Sequence, residues 1–79
     1  MKINHIGSNM TEIETETARV LFSYSTPVAA YLYITGENRP VGYVKTSKHW
    51  SVTTSKHINK WLNGANAQTV DQEFLANLV

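Results

Sequence analysis

Lys45-Thr-Ser-Lys-His-Trp-Ser-Val-Thr-Thr-Ser-Lys-His-Ile-Asn-Lys-Trp-Leu62 is the stretch of sequence in which the spacing of apolar residues changes. Before it, apolar and polar residues tend to alternate, which is typical of β-strands. Inside it, Ile58, Trp61 and Leu62 have the i, i+3, i+4 spacing of a helix. The stretch also holds both tryptophans and four of the seven Lys and Arg residues. We therefore predict that it joins a β half of the chain to a helical half.

The length of the chain, 79 residues, allows one domain with a small core. We predict a single domain over residues 1–79, with the β half at about residues 2–50 and the helical half at about residues 54–79. The absence of cysteine excludes disulfides and thiolate metal sites. No apolar run approaches the roughly 20 residues of a membrane span, so no membrane association is expected.

The β half is predicted from runs of β-branched and aromatic residues separated by turn formers. Alternation near the N-terminus places Glu12, Glu14 and Glu16 on one strand face, which we interpret as solvated. Paired carboxylates for acid–base chemistry are the alternative. The turn-rich Thr35–Pro40 segment is expected to close a hairpin. The runs that indicate strands are residues 2–6, 11–17, 18–25, 28–34 and 41–46, and Tyr43 is expected to lie across from Tyr31 or Tyr33.

The helical half is predicted to contain two short helices. Thr53, Thr54 and Ser55 are candidate N-caps of the first, and Gly64 is expected to end it in the left-handed conformation. Thr69-Val-Asp-Gln72 resembles a capping box that would begin the second helix. The predicted fold class is α+β: an antiparallel meander of three or four strands followed by two short C-terminal helices packed on one face. The helix residues expected to cover the apolar face of the sheet are Trp61, Leu62, Phe74, Leu75 and Leu78.

Two blocks of the sequence carry a family resemblance. Leu21-Phe-Ser-Tyr-Ser-Thr-Pro-Val-Ala29 and Trp50-Ser-Val-Thr-Thr-Ser-Lys-His-Ile-Asn-Lys-Trp-Leu62 resemble the shared blocks of a family of small, uncharacterised proteins from tailed bacteriophages. The resemblance spans roughly residues 20–79. It implies a viral protein that acts in the host cytoplasm. The resemblance says nothing about catalytic residues.

No arrangement of side chains in the sequence predicts a reaction. The histidines lack the spacing of a zinc site, and His57 is expected to pack against Trp61 one turn further along a helix. The glycines are too scattered for a phosphate loop, and no serine lies in a Gly-x-Ser-x-Gly setting. We therefore predict that the protein is not an enzyme and uses no cofactor or metal.

A basic segment is the best candidate for binding, and its predicted site residues are Lys45, Lys48, His49, Trp50, Lys56, His57 and Lys60. The favoured hypothesis is a non-catalytic phage accessory protein that binds and modulates a host or viral protein. The alternative is a nucleic-acid-binding protein that uses the Lys45–Lys60 edge with Trp50 stacking on a base. The net charge of +1 is low for a phosphate binder. A homodimer formed by strand addition is a further hypothesis.

Overall fold

A computed structural model describes residues 2–33 and 42–79 of the chain. The described residues form six strands and two helices. In chain order they are β1 (Lys2–Gly7), β2 (Met10–Glu14), β3 (Ala18–Ser23), β4 (Thr26–Leu32), β5 (Gly42–Thr46), α1 (Val52–Leu62), β6 (Gln68–Val70) and α2 (Gln72–Ala76). The predicted Thr35–Pro40 turn lies outside the described residues. No helix in residues 2–33 and 42–79 is long and apolar enough to cross a membrane.

The strands form one sheet in which the spatial order follows the sequence order, β1-β2-β3-β4-β5-β6. The first five strands pair antiparallel, and β6 adds to β5 in parallel. The predicted α+β class is therefore confirmed. The details differ for the described residues: the sheet is mixed and has six strands, whereas an antiparallel meander of three or four strands was predicted. The three-residue β6 is too short to show a periodicity, and its pairing with β5 depends on the intervening helix.

Short turns connect the first four strands. Asn9 and Tyr24 adopt left-handed backbone conformations, with φ of 59° and 58°, and the Tyr24 N–H donates to the Asn9 carbonyl at 2.7 Å. In the β2–β3 turn, the Thr15 hydroxyl oxygen accepts from the backbone N–H groups of Thr17 and Ala18 at 3.2 and 3.1 Å. The predicted strand to residue 17 is therefore too long, and Glu16 lies exposed in this turn.

The two helices pack on opposite faces of the sheet, so the prediction that both cover one face is wrong. Ile58 and Leu62 of α1 form a cluster with Met10, Leu21 and Ala29. On the other face, Leu75 of α2 forms a second cluster; its strand members are Ala18, Val20, Ala30, Leu32 and Val44. Alternate residues of the central strands β3 and β4 therefore enter different clusters, and these strands are covered on both sides.

The helix ends differ from the prediction at two of the three points that were predicted. Ser51, and none of residues 53–55, is the N-cap of α1, and its hydroxyl oxygen accepts from the Thr54 N–H at 3.1 Å. Gly64 has a positive φ of 85°, as predicted for the end of this helix. Residues 69 and 70 belong to β6, and Asp71 precedes α2 without a side-chain capping bond, so the predicted capping box does not form.

Candidate functional site

A basic cleft lies where β5 passes into α1. Its volume is about 280 Å³, and its walls come from the end of β5, the following Ser47–His49 segment and one side of α1. The polar residues that line it are Lys45, Thr46, Ser47, Lys48, His49, Ser55 and Asn59. Three of the predicted site residues, Lys45, Lys48 and His49, are therefore brought together in one concave place.

The segment between β5 and α1 is fixed by backbone hydrogen bonds. The Ser47 N–H donates to the Val70 carbonyl of β6 at 2.8 Å, and the Lys48 N–H donates to the Thr46 hydroxyl oxygen at 3.1 Å. The short parallel strand β6 thus extends its contact with β5 by one residue into the connection. These bonds hold the backbone that carries Lys48 in a defined position at the mouth of the cleft.

Trp50 stands beside the cleft and is held from two sides. The Lys48 ammonium nitrogen lies 4.1 Å from the centre of the Trp50 ring, a cation–π contact. The indole N–H donates to the Gln72 side-chain oxygen at 3.2 Å, and the same oxygen accepts from the Thr46 hydroxyl at 2.8 Å. The Gln72 amide in turn donates to the Pro27 carbonyl at 2.6 Å. Gln72 therefore links α2, β4 and β5 to Trp50.

Lys56 and Lys60 do not join the basic cleft. Both are exposed on α1, and the residues of α1 that line the cleft are Ser55, Ile58 and Asn59. The reason is the helical phase: Thr54, Ile58 and Leu62 are buried against the sheet, so positions 56 and 60 fall on the outward side. The predicted basic edge is thus divided into a cleft with two lysines and a solvent-facing pair.

His57 contacts Ser23, whereas the sequence predicted that it would pack on Trp61. Its Nδ1 lies 2.8 Å from the Ser23 hydroxyl oxygen, and that oxygen lies 3.0 Å from the Thr54 hydroxyl. A serine within hydrogen-bond reach of an imidazole is the first requirement for a nucleophile and its base. Ser23 is only 2% exposed, however, and shares its hydroxyl with Thr54. The arrangement is better suited to attaching α1 to β3.

An apolar patch, which we define as Tyr24, Trp50 and Val52, is exposed next to the segment that connects β5 to α1. The side chains are 55%, 41% and 67% exposed. Tyr24 and Trp50 line a second cleft of about 200 Å³, and Ser51, just before Val52, lines it as well. The sequence analysis missed Tyr24 and Val52 as site residues, because a single sequence does not show which apolar side chains remain exposed.

The predicted acidic strand face is only partly formed. Glu12 and Glu14 lie on β2 and are half-buried, while Glu16 is in the following turn. The Glu12 carboxylate accepts from the Trp61 indole N–H at 3.0 Å. Within the described part of the chain, no group of three or more His, Cys, Asp or Glu residues could hold a metal ion.

Comparisons with known proteins give one match. A family model described as a family of unknown function, DUF8033, matches residues 1–77. No curated protein and no solved structure gives a significant match. The match extends in front of Ala18, and so it includes β1 and β2 as well as the two sequence blocks that carry the phage resemblance.

Proposed function

The chain belongs to DUF8033, a family of unknown function, and we propose that it is a non-catalytic interaction module that binds and modulates a host or viral protein. The resemblance of its two sequence blocks to small phage proteins supports an accessory role in the host cytoplasm. The observation that carries the proposal is the apolar patch of Tyr24, Trp50 and Val52, which is exposed and of which Tyr24 and Trp50 line a cleft.

The backbone at Tyr24 favours a role for this side chain. A bulky residue with a positive φ is uncommon, and holding it in the left-handed region costs about 1–3 kcal/mol. Asparagine or glycine would occupy the same turn position with less strain. A strained, 55% exposed tyrosine that contributes little to the core is therefore more readily explained by recognition than by stability.

Trp50 has the properties of an anchor for a protein partner. Tryptophan and tyrosine are enriched among the residues that contribute most to protein–protein binding, especially beside pockets from which water is excluded. The contacts with Lys48 and Gln72 hold the indole in place before a partner arrives. A side chain that is already ordered loses less conformational entropy on binding, which favours affinity.

Nucleic-acid binding remains the alternative, and homodimer formation is compatible with either function. Separation of Lys56 and Lys60 from the basic cleft leaves fewer cations for one phosphate row, which weakens the alternative. For the dimer, β1 is the first strand of the sheet and its outer side pairs with no strand in the described part of the chain. Ile3 and Ile6 of β1 are 58% and 42% exposed, so this edge is the place for strand addition.

Replacing Tyr24 with asparagine should separate stability from binding. Asparagine tolerates the left-handed conformation, so we expect the free energy of unfolding to stay unchanged or to rise by about 1 kcal/mol. Loss of the exposed ring should weaken partner binding by at least about tenfold, as is typical of an aromatic hot spot. Urea unfolding gives the first quantity. Affinity capture from host lysate, followed by titration of the purified partner, gives the second.

Tyr33→Ala is the matched control for this experiment. Tyr33 is 44% exposed, and it follows the far end of β4 from the Tyr24 turn, so its replacement should leave capture unchanged. Capture of the same proteins by wild type and Tyr24→Asn would contradict the proposed site. Binding of oligonucleotides with a steep salt dependence, and no salt-resistant protein partner, would instead support the alternative function.

A further inference from the structure

We propose that the basic cleft between β5 and α1 binds a phosphomonoester group. This goes beyond the proposed protein-binding function. No residue lines both the basic cleft and the cleft beside Tyr24 and Trp50, and the two sites meet at the contact between Lys48 and the Trp50 ring. The ligand class is a small molecule that carries a terminal phosphate, or inorganic phosphate itself.

The charge in the cleft favours an anion. Lys45 and Lys48 bring two ammonium groups and His49 an imidazole, and among residues 2–33 and 42–79 no carboxylate lines the cleft. Two cations that share a concave surface without a neutralising carboxylate repel each other, and a bound anion relieves that repulsion.

The donors in the cleft suit phosphate better than a single carboxylate. A phosphomonoester carries a charge of about −1.5 to −2 at neutral pH and has three strong acceptor oxygens. The residues that line the cleft carry two ammonium groups, the hydroxyls of Ser47 and Ser55 and the Asn59 amide, all of which can donate hydrogen bonds. The Lys48 ammonium lies over the Trp50 ring at the edge of this set. Its volume of about 280 Å³ lies near the lower end of small-molecule pockets, so it suits a compact head group.

The cleft is also built before a ligand arrives. Lys45 is half-buried in β5, where it pairs with Thr69 of β6, and the Lys48 backbone is fixed by its hydrogen bond to Thr46. Ile58, on the opposite wall, is 9% exposed and belongs to the core. The Lys48 ammonium already contacts the Trp50 ring, so few side-chain groups must be ordered by the ligand, which limits the entropy lost on binding.

The test titrates inorganic phosphate and adenosine monophosphate into the full-length protein at constant ionic strength. Backbone amide chemical shifts locate the site, and calorimetry gives the dissociation constants. We expect the largest shifts at residues 45–49 and 55–59. Lys45→Gln combined with Lys48→Gln should weaken phosphate binding by at least about tenfold, because hydrogen bonds to charged groups are among the stronger ones. Similar affinity for both probes would indicate recognition of the phosphate alone. Tighter binding of the nucleotide would indicate added contacts with the base or sugar.

Lys56→Gln combined with Lys60→Gln is the matched control. It removes the same charge from the same region but leaves the cleft intact, so affinity should change by less than about twofold, the effect expected of screened surface charge. Thermal unfolding checks that both double variants fold. Lys56 and Lys60 are exposed, and such surface substitutions usually have small effects on stability, whereas Lys45 is half-buried and its variant needs this check. Equal weakening by the two double variants would overturn the proposal in favour of a diffuse basic surface. Absence of amide shifts at millimolar phosphate would overturn it outright.

Discussion

Replacing Leu75 with alanine should lower the free energy of unfolding by about 2–5 kcal/mol, a large share of the roughly 5–15 kcal/mol expected for a domain. Leu75 is fully buried, and it is the one buried residue of the five-residue helix α2. A helix this short is not stable by itself, so its position depends on side-chain packing. The cavity would open directly against Val20, Ala30 and Val44 on one face of the sheet.

Leu78→Ala is the control for this experiment, because it makes the same chemical change at the rim of the same cluster. Leu78 is only half-buried, so its loss should be clearly smaller than that of Leu75. Urea unfolding followed by circular dichroism measures both variants. Equal midpoints for the two variants would show that α2 does not cover this face of the sheet.

Local patterns in the sequence were sufficient for most of the individual elements. The spacing of Ile58, Trp61 and Leu62 predicted α1, and Gly64 predicted its end. The strand pattern predicted that Tyr43 lies across from Tyr31 or Tyr33. In the structure its partner is Tyr31, with ring centres 4.7 Å apart. These features depend on residues close in sequence or on simple strand pairing, and such signals are readable from one chain.

The main error was the prediction that both helices cover one face of the sheet, and the sequence contained a signal against it. A strand covered on both sides shows a continuous apolar run instead of alternation. Val20-Leu-Phe22 and Val28-Ala-Ala-Tyr-Leu32 are such runs, and both strands are covered on both faces. A register shift between β3 and β4 also brings Val28 and Ala29 together into the cluster under α1, which strict alternation does not allow.

The candidate site could be predicted as a region but not in its geometry. Ser51, Thr53, Thr54 and Ser55 can all cap a helix, and local preference does not choose among them. The choice depends on tertiary contacts: Thr54 is buried against Ser23, and this places it inside the helix and leaves Ser51 as the cap. That phase turns Ser55 and Asn59 toward Lys45 and directs Lys56 and Lys60 to solvent.

Replacing Trp61 with alanine should lower the free energy of unfolding by about 3 kcal/mol, the lower end of the range for tryptophan because the side chain is only half-buried. Its ring meets Tyr43 edge to face, with centroids 5.6 Å apart, and Tyr43 meets Tyr31 in the same manner. These three rings form an aromatic row that joins the last turn of α1 to β4 and β5. Loss of the Trp61 ring should therefore also loosen that end of the helix. Urea unfolding measures the first effect, and amide hydrogen exchange in residues 58–62 measures the second.

Trp61→Phe divides this effect into its two parts. Phenylalanine keeps an aromatic ring against Tyr43 but cannot donate to the Glu12 carboxylate, which now accepts from the indole at 3.0 Å. Because Glu12 is partly exposed, water can replace the lost donor, and we expect a loss of about 1 kcal/mol. Most of the stabilisation by Trp61 would then come from packing on the aromatic row. A Trp61→Phe protein as unstable as Trp61→Ala would assign the stabilisation to the hydrogen bond instead. A Trp61→Ala protein that unfolds at the wild-type urea concentration would show that Trp61 is not part of the core.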